Sequence, residues 1–185
     1  MKIPLNMLLA AAALLYTCSP TGTGDDGNRL IVINEFMSAN SDDGPTDEHG
    51  DSDDWIELYN NGENEISVAD LYLSDDSLQL HAYSFPDTVI APGGFLLVWA
   101  DDEPLEGKWH APFQLSWQNG DEIILTKGRD RIVDRYRFFP ENGNPTARVP
   151  GTSFGRAGDG DTLWGQQTEP SPGAPNRGIR EWRTD

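Results

Sequence analysis

Short apolar runs, each separated from the next by turn-forming residues, are the feature that most constrains the fold of this chain. Beyond the N-terminal segment, no stretch repeats apolar residues at helical spacing for the ten or more residues that a helix needs. Gly, Pro, Asn and Asp lie between the runs, and this pattern predicts an all-β sandwich or barrel. The predicted strands are Leu30 to Phe36, Trp55 to Tyr59, Leu71 to Leu73, His81 to Phe85, Gly94 to Trp99, Ile123 to Thr126 and Ile132 to Phe139.

Turn signals support this assignment. Asn61-Gly62 and Asn119-Gly120 favour tight turns, and Pro92-Gly93-Gly94 introduces the run FLLVWA. That run is apolar enough to lie in the middle of a sheet. We therefore expect a single domain, and about 150 residues is enough to bury a core without cross-links.

Cross-links within the chain are excluded, because Cys18 is its one cysteine. Aromatic residues should therefore carry much of the packing, and Trp55, Trp99 and Trp117 are expected in the core because they lie in or beside predicted strands. Trp109 and Trp164 lie in predicted loops. For these two, core packing and an exposed ligand platform both stay open.

The N-terminus has the pattern of an export signal. Residues 1–17 combine a short basic start with an apolar run that is too short for a comfortable membrane span. The run ends in Leu-Tyr-Thr-Cys, which is similar to a bacterial lipoprotein box and would make Cys18 the lipidated N-terminus. We expect lipid anchoring to the outer membrane or cell surface, with a secreted or periplasmic protein as the alternative. Residues 18–29 then form the lipidated cysteine with a flexible tether, and residues 177–185 form a tail.

Several motifs in a fixed order carry a family resemblance from Leu30 to Asn176. They are INEFMSAN, DWIELYNNGENEISVADLYLSDD, a Pro-Gly-Gly before FLLVWAD, FQLSWQNGDEIIL, IVDRYRF, SFGR followed by DGD, and PSPGAPN. Each is weak alone, but together they resemble the lamin tail domain family of the bacterial type. The resemblance implies an immunoglobulin-like β-sandwich over residues 30–176 that serves interaction and has no catalytic residues.

An acidic loop, SANSDDGPTDEHGDSDD, separates the first two predicted strands and has seven carboxylates but no lysine or arginine. Such charges repel one another unless solvent, a cation or a basic partner compensates them. Calcium prefers oxygen ligands on a flexible loop, although the spacing here is not that of an EF-hand. A calcium site and a solvated loop both stay open, while the distant positions of the three histidines argue against a transition metal. The candidate calcium ligands are Asp47, Glu48, Asp51, Asp53 and Asp54.

Nucleic acid is an unfavourable partner, because the chain has a formal net charge of −18 at pH 7. Catalysis has no recognisable motif: no serine lies in a G-x-S-x-G context and no glycine-rich phosphate loop precedes a helix. Glu35 and Glu57 lie on predicted neighbouring strands, and we expect both to face solvent, with a structural role favoured over a binding one. We therefore predict that the protein is not an enzyme.

The predicted function is that of a lipid-anchored surface module that binds protein or glycan partners and needs no certain cofactor. One alternative is a calcium-dependent adhesion or carbohydrate-binding module that uses the acidic loop and an exposed tryptophan. Another is an accessory protein of a surface nuclease or phosphatase, because the chain resembles domains attached to such enzymes.

Overall fold

A computed structural model describes residues 30–138 and 151–179, and these residues form twelve β-strands. No α-helix occurs within these two ranges, and accordingly none there could cross a membrane. The strands are β1 (Ile31–Met37), β2 (Trp55–Asn60), β3 (Ile66–Ser67), β4 (Leu71–Ser74), β5 (Tyr83–Ser84), β6 (Val89–Ile90), β7 (Phe95–Ala100), β8 (His110–Ala111), β9 (Asp121–Lys127), β10 (Arg131–Phe138), β11 (Phe154–Arg156) and β12 (Trp164–Gln166).

Two main sheets face each other. One has the strand order β12-β11-β1-β2-β7-β8 and the other the order β10-β9-β4-β5, while β3 and β6 pair separately. Between the sheets, the ring of Phe36 on β1 stacks on that of Phe138 on β10, with centroids 4.9 Å apart. The predicted all-β, immunoglobulin-like sandwich is therefore confirmed.

All seven predicted runs contain a strand, whereas β3, β6, β8, β11 and β12 have only two or three residues each and have no periodic pattern to detect. Pro92-Gly93-Gly94 forms the expected turn: Gly93 has φ 66° and the Gly94 N–H donates to the Ala91 carbonyl at 2.9 Å. The strand that follows, β7, lies inside its sheet between β2 and β8.

The core between the sheets is apolar and includes Ile33, Ile56, Leu58, Val98 and Leu125. A second, smaller cluster contains Met37, Trp55 and Trp99, where Trp55 lies opposite both Met37 and Trp99 in the strand register. Of the tryptophans expected in the core, Trp55 and Trp99 are buried and Trp117 packs against the main cluster half-buried.

A bulge in β1 between Ile33 and Glu35 anchors the C-terminal strands. It directs the Ile33 N–H to Asp134 Oδ2 on β10 at 3.0 Å, and Arg156 on β11 donates to the same oxygen at 2.7 Å and to the Ile33 carbonyl at 2.7 Å. Because Arg156 and Asp134 are both buried, this ion pair with its further hydrogen bonds ties β11 to both sheets.

Candidate functional site

Two loops meet at one corner of the sandwich, which we call the acidic corner. They are residues 38–54, between β1 and β2, and residues 101–109, between β7 and β8. Because β2 pairs with β7, the two loops leave the sheet side by side, and the Ala100 N–H donates to the Asp54 carbonyl at 2.7 Å. The parallel pairing of β8 with β7 returns the second loop to the same place.

Asp47 organises the first loop. Its Oδ1 accepts the backbone N–H groups of His49, Gly50 and Asp51 at 2.8, 2.8 and 2.9 Å. Partial burial opposes ionisation, but these three donors outweigh it and hold the pKa of Asp47 below its usual value. Gly50 has φ 93°, in the left-handed region that favours glycine, so the loop turns sharply at this position.

The other candidate calcium ligands have different surroundings. Asp54 is directed inward: burial raises its pKa to about 7, although it accepts the backbone N–H groups of Asn40 and Leu115. Burial also raises the pKa of Asp53, and the charges of neighbouring carboxylates, Asp101 first among them, add to the effect. Asp51 and Glu48 are exposed. The five predicted ligands thus share a corner but not a common point.

His110, the first residue of β8, lies buried directly beside this corner, with 2 % of its surface exposed. Its Nδ1 makes a short hydrogen bond to Asp101 Oδ2, and its Nε2 lies 3.5 Å from Glu48 Oε1. Burial lowers the pKa of His110, but the hydrogen bond and charge of Asp101, helped by Glu48, outweigh burial and leave it raised.

The three histidines are far apart in the sequence, but two of them lie close together in the fold. The rings of His49 and His110 have centroids 6.0 Å apart, because the two loops converge. His81, in contrast, lies elsewhere and stacks on Tyr72 with centroids 3.9 Å apart.

Four buried polar side-chain atoms at this corner have no hydrogen-bond partner: Asp47 Oδ2, Asp53 Oδ2, Glu106 Oε2 and His110 Nε2. Within residues 30–138 and 151–179, two groups of three side chains bring potential metal-ligand atoms within 4.8 Å of one another. One is Glu48, His49 and His110, and the other is Asp47, Glu106 and His110. The sequence pattern identified Asp47 and Glu48 as candidate ligands but did not show that the second loop contributes to the same corner. The acidic cluster Asp101-Asp102-Glu103 was the sequence feature that could have indicated it.

Glu35 and Glu57 do not face solvent, contrary to prediction. They lie opposite each other on the outer face of β1 and β2, and both are fully buried. The segment after β12 covers them: the Ser171 N–H donates to Glu35 at 3.1 Å and the Gly173 N–H to Glu57 at 2.6 Å. The alternation of apolar and polar residues along β1 and β2 wrongly predicted solvent exposure for the two glutamates, because a polar chain segment, rather than solvent, covers that face of the sheet.

Burial dominates the ionisation of both glutamates. It raises the pKa of Glu57 to about 8, although Asn34 Nδ2 and the Gly173 N–H donate to its carboxylate. It also raises the pKa of Glu35, despite hydrogen bonds from Ser153 and Ser171. Both carboxylates therefore belong to a hydrogen-bond network with backbone amides and hydroxyl groups, and their role is structural.

The two candidate tryptophans are half-buried and pack against the core. Trp164 stacks on Tyr136 with centroids 4.0 Å apart, and the guanidinium of Arg156 lies 5.0 Å from its ring centre. The Lys108 ammonium lies 4.8 Å from the ring centre of Trp109. Both rings therefore have protein contacts of their own, which reduces the ring surface left for a ligand.

Comparison with known protein families agrees with this sandwich. The family model of the lamin tail domain matches residues 26–139. The chain belongs to the lamin tail domain family. Lamin tail domains are immunoglobulin-like β-sandwiches of a non-catalytic, interaction type. A comparison with curated proteins finds no match.

The match ends before the last two strands of this lamin tail domain. β11 and β12 extend the sheet beyond β1, and Asn176 reaches back to the network, where its N–H donates to Asp159 Oδ1 at 2.9 Å. The packed unit of the described residues therefore includes the segment that buries Glu35 and Glu57. The acidic corner lies within the matched range, at the end of β1, β2 and β7.

Proposed function

We propose that this protein is an exported, lipid-anchored module that binds protein or glycan partners at a bacterial cell surface and has no catalytic activity. The observation that carries the proposal is the lamin tail domain itself, a β-sandwich of the interaction type. Its buried polar groups also support a binding role over catalysis, since Glu35, Glu57 and the Asp134–Arg156 pair are engaged in holding the fold together.

The acidic corner is the surface that we propose for the partner. Asp42, Asp43, Glu48 and Asp51 are exposed there. Exposed charges of one sign attract an oppositely charged surface and speed the encounter with it. A basic protein surface is thus the favoured partner, whereas a nucleic acid backbone would be repelled by a chain of net charge −18.

The anchor is proposed at Cys18, which lies outside the described residues. It follows the apolar run and precedes a polar stretch, Ser19 to Asn28, which leads to β1 at Ile31. A tether of this composition would hold the sandwich away from the membrane surface.

Metabolic labelling with an alkyne analogue of palmitate tests the anchor. The wild-type protein should incorporate the label and fractionate with membranes, whereas Cys18→Ser should incorporate none and appear in the soluble fraction. Ser19→Ala is the matched control and should label as the wild type does. Equal labelling of wild type and Cys18→Ser would refute the lipid anchor.

Binding to isolated cell envelopes tests the interaction. A soluble form that begins at Ser19 should bind envelopes saturably. Protease treatment of the envelopes should abolish binding if the partner is a protein, and periodate should abolish it if the partner is a glycan. Asp42→Asn with Asp43→Asn should weaken binding, while Glu63→Gln, at an exposed carboxylate outside the acidic corner, should not. Binding that never saturates would contradict the interaction function.

A calcium-dependent adhesion or carbohydrate-binding module is the second candidate, and the buried, unpartnered oxygens of Asp47 and Asp53 favour it. Millimolar calcium should then raise the melting temperature by several degrees, and Asp51→Asn with Asp53→Asn should remove most of that rise. A melting curve that is the same in calcium and in chelator would exclude this candidate. The accessory-protein hypothesis rests on the resemblance alone, and the identity of neighbouring genes would test it.

A further inference from the structure

The imidazole of His110 directs its Nε2 atom towards the acidic loops, an orientation that a purely structural histidine does not require. Its side chain is fully buried at the start of β8, beside the end of β7, yet Nε2 has no hydrogen-bond partner. Buried polar atoms nearly always have one, so an unpartnered ring nitrogen calls for an explanation. Nε2 lies 3.5 Å from Glu48 Oε1, on the side where the two acidic loops meet.

Asp101 determines which ring nitrogen is available. It is itself buried, and its Oδ2 lies in short hydrogen-bond contact with His110 Nδ1. A carboxylate beside Nδ1 keeps the proton on that nitrogen and leaves the lone pair on Nε2. Metal-binding histidines are commonly oriented by such a carboxylate, which also raises their basicity.

Further potential ligands surround His110. Glu48 and His49 bring ligand atoms within 4.8 Å of it and of each other, and so do Asp47 and Glu106. Asp47 Oδ2 and Glu106 Oε2 are buried without hydrogen-bond partners. Gly107 leaves room for this arrangement, because a Cβ at that position would lie only 3.3 Å from Glu48 Oε1.

We propose that His110, through Nε2, His49 and Glu48 bind a divalent transition metal of the zinc class. The carboxylates of Asp47 and Glu106 lie near His110 and add negative charge beside the ion. Two imidazoles and a carboxylate are a ligand set that zinc accepts, whereas calcium and magnesium prefer oxygen alone. The bound ion joins the loop 38–54 to the loop 101–109 and compensates the charge of the acidic corner. This inference is independent of the identity of the surface partner.

An imidazolium at His110 is the competing explanation. In that case Nε2–H would form an ion pair with the exposed carboxylate of Glu48, and the two loops would need no metal. The two explanations predict different responses to zinc, because an imidazolium already compensated by carboxylates gains nothing from micromolar metal.

Calorimetric titration and thermal unfolding of the chelator-treated soluble protein test the proposal. Zinc should bind with a stoichiometry of one, and a saturating concentration should raise the melting temperature by several degrees. Cobalt should bind at the same place and give a visible absorption spectrum that reports nitrogen and oxygen ligands. Calcium and magnesium at the same concentrations should have little effect.

The exposed ligands offer the sharpest variants, because replacing them does not disturb the core. His49→Ala and Glu48→Gln should each weaken zinc binding at least about tenfold and, with chelator in 0.3 M sodium chloride, leave the melting temperature unchanged. His81→Ala is the matched control: it removes an exposed histidine that stacks on Tyr72, and zinc binding should match the wild type. No zinc binding, binding unchanged in His49→Ala and Glu48→Gln, or a response to calcium alone would each overturn the proposal.

Discussion

At the scale of single residues, this sandwich places ionisable groups where β-strand patterning predicts solvent. Glu35 and Glu57 are a cross-strand pair of like charges, an unfavourable arrangement on an exposed sheet. Here the face is covered, and each carboxyl group accepts a backbone N–H from the segment that covers it. The free-energy cost of burying two like charges is relieved when at least one of the carboxylates is protonated. Burial raises the pKa of both glutamates and so favours the protonated form.

The raised pKa of Glu57 predicts that stability falls as the pH rises. Between its ordinary value of 4.5 and its folded value of about 8, the folded state holds a proton that the unfolded state has lost. The stabilisation is therefore complete below pH 4.5 and is lost as the pH rises to 8, a change of roughly 3 to 6 kcal/mol. The charges of Glu35 and Asp159 act in the same direction on Glu57.

Glu57→Gln tests this assignment, because the amide resembles the protonated acid and does not titrate. In urea unfolding, the variant should match the wild type within about 1 kcal/mol at pH 5 and be more stable at pH 9. Glu63→Gln, at an exposed carboxylate, should change the unfolding free energy by less than about 0.5 kcal/mol at both pH values. A difference between Glu57→Gln and wild type that is the same at both pH values would disprove the assignment.

At the scale of elements, the long strands could be predicted from the sequence and their partners could not. β1, β2, β7, β9 and β10 have six to eight residues each, enough for an apolar pattern between turn residues. β8 has two residues, yet its parallel pairing with β7 positions His110. The acidic loop showed where Asp47 and Glu48 would lie, but not that residues 57 positions apart, His49 and Glu106, would touch. Such contacts depend on strand order, which local patterns do not encode.

The position of the segment after β10 also depends on strand order. Truncation of the chain tests whether the fold requires this segment. A chain that ends at residue 150 lacks β11, β12 and the segment that covers Glu35 and Glu57. Removing it exposes the edge of β1 and leaves Asp134 without Arg156, so we expect an insoluble or unfolded product. A chain that ends at residue 179 should melt within a few degrees of the full soluble protein. Cooperative unfolding of the shorter chain, followed by circular dichroism, would contradict this expectation.

At the scale of the whole molecule, a net charge of −18 acts against compactness. Part of the acidic charge is compensated within the fold: Glu122 accepts hydrogen bonds from Arg135 and Arg137, and Asp134 accepts one from Arg156. The acidic corner differs, because three of its carboxylates, those of Glu48, Asp101 and Glu106, face the imidazole of His110 and not an arginine. The clustered carboxylates therefore make the corner suitable for a cation or a basic partner. When neither is bound, the same carboxylates repel one another.

Salt should relieve that repulsion. The Debye length falls from about 30 Å at 0.01 M to about 10 Å at 0.1 M ionic strength, so the metal-free protein should melt several degrees higher in 0.3 M than in 0.01 M sodium chloride. Asp42→Asn with Asp43→Asn removes two exposed charges of the corner and should raise the melting temperature at low salt, with the difference vanishing at high salt. Glu169→Gln is the control, because that carboxylate already pairs with Arg177 and its removal should bring no gain. Melting temperatures that run parallel for wild type and the Asp42, Asp43 variant across the salt range would show that repulsion at the corner does not limit stability.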